Sequence, residues 1–283
     1  MILGTAQVGM DYGLTNFKGK INKENLVNII KFCSKNKILE LDTAFGYGDA
    51  HHRLANVLNK YCKKKTIITT KTNLNDFYNY NILKKKILSL KYIFSNSDIN
   101  LLCHDEKILL KKNNLLLRNL LKLKKDKIIK KIGVSVYSTS LALNGLKNKN
   151  IDIIQISSNI LDQRILNKKF SKYIDKLYCR SIFLQGILIN ENKFHNKIFT
   201  KMISLCNIIT KKYNLTKIEL CFYYILKVAK IKKIIIGVES AKQLKQLHKS
   251  FIKIKKLKID DRITKEIKNL SCTNIKIIDP RKW

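Results

Sequence analysis

A chain of 283 residues with 45% hydrophobic side chains is long enough for one large α/β domain and too apolar to be disordered. Its net charge of +37 raises nucleic acid or an anionic membrane as partners, but only six of the 57 basic residues are arginine, the side chain that phosphate and base readers favour. The lysines are scattered over every expected helix, which reads as solvated helix faces and argues against a specific nucleic-acid surface.

Strand and helix signals alternate along the whole chain, the pattern of a parallel sheet with crossover helices. Residues 2–6 form the first strand and 9–19 a glycine-punctuated loop. Lys23–Lys35 is a helix with Leu26, Ile29, Ile30 and Cys33 at helical spacing and Asn22 as its cap. Residues 38–41 are the second strand and Ala50–Tyr61 its helix. The third strand ends at Lys71 and a helix covers 81–94. The fourth ends at His104 and a long Leu/Lys helix covers 108–124. The fifth covers 129–136, with Ser138 capping a helix through Leu146. The sixth is 151–156, followed by a mostly helical stretch at 161–177. The seventh is 178–183, followed by helices at 196–212 and 216–230; the second opens with the capping box Thr216-Lys217-Ile218-Glu219. Lys233–Gly237 is the eighth strand, and Ser240 caps a helix through Lys249. Eight such units predict a single-domain α/β (β/α)₈ TIM barrel over residues 1–283, with a C-terminal tail from about 255.

Four strands carry a reactive polar group at the carboxyl end. Asp42 closes the second, with Tyr47 on the glycine-rich turn behind it; Lys71 closes the third, His104 the fourth, and the fifth leads to Ser135. Loops at the carboxyl ends of parallel strands carry the site in such folds, so these groups meet at one mouth. An ammonium near a phenol favours the phenolate, and a carboxylate behind the ammonium holds it charged. An imidazole opposite can donate a hydrogen bond to a substrate oxygen. The ensemble is a proton donor poised over a carbonyl. None of the four is a reductant, so a nicotinamide cofactor is implied.

Leu41-Asp42-Thr43-Ala44-Phe45-Gly46-Tyr47-Gly48 resembles the D-T-A-x-x-Y-G signature of the aldo-keto reductases, and Lys71 and His104 fall at that family's other two tetrad positions. The resemblance continues through Gly133-Val134-Ser135, Ile154-Gln155, residues 180–186 and residues 235–240. It implies that Tyr47 is the general acid in carbonyl reduction, or the base in alcohol oxidation. Lys71 would lower the Tyr47 pKa, Asp42 would pair with Lys71, and His104 would orient the carbonyl. NADP(H) or NAD(H) would lie across the mouth without a metal. Gly4, Thr5 and Ala6 would sit by the nicotinamide half, and Ser135 and Gln155 would hold its carboxamide. Arg180 would contact the cofactor, the loop with Ser181, Gln185 and Gly186 would cover the pyrophosphate, and Gly237 to Gln243, with Ser240, would hold the adenosine end. Four positions depart from the family pattern. Val136 stands where Asn is usual, Arg180 where an aromatic ring stacks on the nicotinamide, and His51 where Glu is frequent. Glu239 lies where NADP-preferring members place a small or basic residue.

The expected partner is a small-molecule carbonyl or alcohol. The alternative is a cofactor-binding regulatory subunit with little turnover, as in the potassium-channel β subunits that resemble this family. Seven cysteines without a C-x-x-C pair argue against a disulfide framework or zinc knuckle. No apolar run reaches the roughly 20 residues of a membrane span. The opening residues lack signal-peptide character, so a cytoplasmic location is expected. His51-His52, His195 and His248 read as surface residues, Phe222-Tyr223-Tyr224 as helix packing, and the tail ending in Trp283 as a segment that can fold back over the barrel rim or the site.

Overall fold

The structure is a computed structural model and describes residues 1–110, 115–190 and 197–283. Eight short apolar runs form the strands β1 (Ile2–Gly4), β2 (Glu40–Asp42), β3 (Thr66–Thr72), β4 (Ser97–Cys103), β5 (Lys131–Val136), β6 (Ile153–Ser157), β7 (Leu177–Arg180) and β8 (Lys233–Gly237). They pair in sequence order and close into one barrel. Every pairing is parallel, ending with β1 against β8.

Because side chains alternate along a strand, register decides which residues share the barrel interior. Ile2, Leu102, Ile153, Tyr178 and Ile235 form one buried cluster there, separate from the larger core between barrel and helices. Counting by twos from these positions puts Gly4, His104, Gln155, Arg180 and Gly237 on the same inner face, towards the carboxyl ends. Two contacts across the barrel do the same for β2: Glu40 meets Lys233 at 2.6 Å and Asp42 meets Gln155 at 2.7 Å.

Helices Lys23–Lys35 and Ala50–Tyr61 fall where their periodicity puts them, and Asn22 accepts a hydrogen bond from the Asn25 N–H. Ser138 caps Thr139–Lys147, and the Thr216–Glu219 capping box is closed on both sides. Other elements differ from expectation. Residues 6–9 are a helical turn, Ala6–Gly9, and β1 stops at Gly4. The expected helix at 108–124 is a 3₁₀ turn, Glu106–Leu110, and a helix, Leu115–Lys125; positions 111–114 lie outside the described residues. The stretch 161–177 is 3₁₀ rather than α, and the helix from Lys217 passes into a π segment, Tyr224–Val228. The helix after β8 is a turn or two longer than expected, Ala241–Lys256. Residue 196, the expected start of helix Lys197–Lys212, is also outside the described residues, as is His195.

The tail adds Asp261–Lys268 and Ile275–Ile278. The Trp283 ring packs edge-on against Phe199, and its Nε1 donates to Lys276 O at 3.0 Å. Phe222, Tyr223 and Tyr224 are buried packing, and all seven cysteines are free. His51 corrects the surface expectation. Its ring is 6% exposed, edge-on to Phe45 and Phe94, with Nε2 3.0 Å from Thr70 Oγ1. His248 is half-buried against Phe32, whereas His52 is exposed. Among the described residues, no helix is long and apolar enough to cross a membrane.

Candidate active site

Asp42 ends β2 and Lys71 is the last residue but one of the neighbouring β3, and both point inward, so barrel formation brings them together. Lys71 Nζ lies 2.7 Å from Asp42 Oδ2 and 2.9 Å from Thr43 O, with its side chain 1% exposed. Burial lowers the Lys71 pKa, and the Asp42 charge and hydrogen bond oppose that loss. Gln155 Nε2 donates to the other carboxylate oxygen, Oδ1, at 2.7 Å.

Tyr47 is carried on a turn that must touch the first helical turn. A Cβ at Gly9 would fall 1.8 Å from Tyr47 O, and one at Gly48, where φ is +52°, would fall 2.4 Å from Gly9 O. Only glycines permit that approach, and it seats the phenol at the mouth. The Arg53 guanidinium ties the same region together by donating to Val8 O and Ile21 O.

Lys71 Nζ is 5.3 Å from the Tyr47 ring centroid, and the His104 ring stands edge-on to Tyr47 with centroids 6.5 Å apart. Burial raises the Tyr47 phenol above its ordinary value; Asp42 adds to this and Arg180 opposes it. The phenol is therefore raised, not depressed as expected from Lys71, before any substrate arrives. His104 opens to the mouth, but the surrounding protein strips enough water to push its imidazole down to about 4, helped by the Lys71 and Arg180 charges. At neutral pH the phenol is protonated and the imidazole neutral, and both can donate to one oxygen.

A cleft runs from Tyr47 and Asp42 along β1, β7 and β8. Gly4, Thr5, Ala6, Arg180, Ser181, Gln185, Gly186, Gly237 and Gln243 all line it. Lys71 and His104 are not in its wall: Lys71 lies beneath it against Asp42, and His104 faces Tyr47. Ser135 and Gln155 are paired across β5 and β6 and buried, at 4% and 0% exposed. Ser240 caps helix Ala241–Lys256 beside the wall, its Oγ accepting from Gln243 N at 3.2 Å. Among the wall residues that sequence reasoning left out are Gln7, Tyr12, Thr15 and Asn190. Gln7 follows directly on the Gly4–Ala6 run, which was the available signal; Tyr12 and Asn190 sit in loops without one.

Three features in or beneath the cleft suit a dinucleotide. Gln155 has its Nε2 committed to Asp42, and its buried Oε1 has no partner among the described residues, leaving an acceptor for an amide N–H. The loop after β7 holds positive φ at Ser181, Leu184, Gln185 and Gly186, a strained run of the kind found at ligand sites. Gly186 is required there, because a Cβ would fall 2.0 Å from Thr15 Oγ1. The 16-residue helix Ala241–Lys256 turns its N-terminus towards the cleft, where backbone N–H groups and the helix dipole favour an anion.

The sequence matches the model of the aldo/keto reductase family over residues 1–269. No curated protein matches it. Its fold is similar to that of aldo-keto reductase AKR11C1 from Bacillus halodurans, a holo form, at 15% identity, covering 100% of this chain and 95% of that one with a TM-score of 0.75. It is similar also to glycerol dehydrogenase AKR11B4 from Gluconobacter oxydans, at 15% identity, 99% and 92% coverage and a TM-score of 0.72. A mutant of Gox0644 in complex with NADPH matches at 15% identity, 89% and 87% coverage and a TM-score of 0.66. With a closed eight-stranded parallel barrel and a family match over nearly its whole length, the chain belongs to the aldo/keto reductase family.

Proposed function

We propose that the protein reduces an aldehyde or ketone to an alcohol, or runs the reverse reaction, with NADPH or NADH as the hydride donor and Tyr47 as the proton donor. The observation that carries this reading is the buried Lys71–Asp42 pair beneath Tyr47 with His104 across from it. Membership of the family supports it, as does the NADPH complex of a protein with the same fold.

The Tyr47 hydroxyl and the His104 imidazole donate hydrogen bonds to the carbonyl oxygen and polarise it. A nicotinamide bound in the cleft would supply the hydride to the carbonyl carbon. Negative charge then grows on the oxygen, and Tyr47 releases its proton there. The phenolate left behind is stabilised by the Lys71 ammonium, which Asp42 and Thr43 O hold in position. Gln155 Oε1 would accept from the cofactor carboxamide, with Ser135 beside it. Residues 181–186 border the pyrophosphate, and Gly237, Ser240 and Gln243 hold the adenosine end. In oxidation the same groups act in reverse, with Tyr47 as base.

The test is loss of reduced-nicotinamide absorbance with a reactive aromatic aldehyde, for the parent and for Tyr47→Phe. Turnover that drops at least about 100-fold in the variant while cofactor affinity is kept supports Tyr47 as the acid. Equal turnover in the two proteins rejects it. Tight cofactor binding with no turnover over a panel of carbonyls favours a regulatory subunit instead.

A further inference from the structure

The mouth holds more positive charge than the proposed chemistry uses. Lys71 is neutralised by Asp42, and the tail cation Arg281 is paired with Asp279 at 2.6 Å. Arg180, at the end of β7 on the inner face, has no carboxylate partner among the described residues. Its guanidinium donates one hydrogen bond, from Nη2 to Val136 O at 3.2 Å, and stacks 4.1 Å from the Tyr137 ring centroid. Arg281 lies 3.5 Å from the centroid of the same ring, so the tail brings a second guanidinium to it.

Arg180 is half-buried in the cleft wall that also contains Tyr47. Its charge acts on Tyr12, Tyr47, Lys71 and His104 together, so it sits within electrostatic reach of the point where the carbonyl would bind. A partly desolvated guanidinium without a counter-ion is costly. Stacking on Tyr137 and the bond to Val136 O fix its plane, leaving further N–H groups in the fork geometry that matches a carboxylate or phosphate. The sequence-wide excess of lysine would draw such an anion in.

Resting on the reductase reading above, we propose that the substrate is an aldehyde or ketone carrying an anionic oxygen group, a carboxylate or a phosphate ester, and that Arg180 binds this group. The group is a handle and is unchanged in the reaction. It supplies the missing counter-charge beside the reacting carbonyl, and its loss leaves Arg180 unpaired.

Two matched substrate pairs test this: benzaldehyde against 4-carboxybenzaldehyde, and glyceraldehyde against glyceraldehyde 3-phosphate, each with the parent and Arg180→Gln. A charge-assisted bidentate contact predicts that kcat/KM favours the charged member of at least one pair by about 10- to 100-fold, and that Arg180→Gln brings this ratio close to one. The favoured pair identifies carboxylate or phosphate as the handle. Turnover of both pairs without preference for charge overturns the proposal and leaves the reductase reading standing. A preference that survives Arg180→Gln also overturns it, as does a variant that only weakens NADPH binding and slows all four substrates equally. Absence of turnover with all four counts against the reductase reading itself. Calorimetric titration of the NADPH-mixed protein with benzoate, and with inorganic phosphate, then decides the anion site without turnover. Binding of either that is lost in Arg180→Gln supports it, and failure of both to bind the parent overturns it.

Discussion

Gln155 on β6 reaches across the barrel to Asp42 on β2, donating from Nε2 to Oδ1 at 2.7 Å. The bond fixes which way round the Gln155 amide sits. Its nitrogen is committed to the carboxylate, so its oxygen is the atom left to a ligand. In the proposed function, one side chain would therefore couple the buried charge pair to the bound cofactor. Gln155→Leu should cost about 1.5–3 kcal/mol, because a buried carboxylate oxygen loses its donor. It should also weaken nicotinamide-cofactor binding. Urea unfolding and a fluorescence titration check the two effects; an unchanged urea midpoint would mean that the bond adds nothing to stability.

Lys71 and Asp42 should behave as a unit. Lys71→Met leaves the Asp42 charge in the interior and should destabilise by about 3–5 kcal/mol, the range for breaking a buried pair. Adding Asp42→Leu removes the stranded charge and should recover most of that loss, although Gln155 Nε2 is then orphaned. Catalysis should not recover, since the ammonium behind Tyr47 is gone in both. Denaturant midpoints of the two single variants and the double variant close the cycle. Additive costs would argue against the coupling.

The barrel was legible because its signals are local. Lys23–Lys35 has a capping asparagine and four apolar residues at helical spacing, and Asp42, Lys71 and His104 each end an apolar run. Boundaries failed where backbone geometry overrides hydropathy. Ile38 reads as strand, but Lys37 turns into the left-handed region and the Ile38 N–H closes the preceding helix on Cys33 O, so β2 starts only at Glu40. The stretch at 161–177 forms 3₁₀ turns rather than an α-helix where Asn159 and Asn167 accept nearby backbone N–H groups. The Gln155–Asp42 bond and the Arg281–Tyr137 stack join residues more than a hundred positions apart. Only closure of the barrel makes them neighbours, so no local pattern announces them.

His51, read from the sequence as a surface residue, should be a source of acid sensitivity. Burial first, then the charges of His52, Lys71 and Lys86, push its imidazole down to about 4, against about 6.5 in the unfolded chain. As pH falls below about 6.5 the unfolded chain takes up the proton and the native state does not. The stabilisation is complete above that pH, declines towards pH 4 and levels off below it. The shift corresponds to a loss on the order of 3 kcal/mol over that window. His51→Gln removes the titration and should flatten the profile. Urea midpoints at pH 7 and pH 5 provide the comparison, and parallel losses in parent and variant would assign the sensitivity elsewhere.

Glu239 should set the choice between the two cofactors. It lies in the cleft wall just beyond β8, its N–H bonded to Gln243 Oε1 at 2.7 Å, and its carboxylate has no cation partner among the described residues. A 2′-phosphate at the adenosine end would meet that charge directly, whereas a 2′-hydroxyl could donate to it. Like-charge repulsion near a protein surface is worth about 1–2 kcal/mol at moderate ionic strength, so the parent should bind NADH more tightly than NADPH. Glu239→Gln should move the ratio of the two dissociation constants about tenfold towards NADPH. A control that neutralises the exposed Lys242 should shift the ratio the other way if that lysine reaches the phosphate. A parent that prefers NADPH, with a ratio unmoved by Glu239→Gln, would mean that the carboxylate faces away from the ribose.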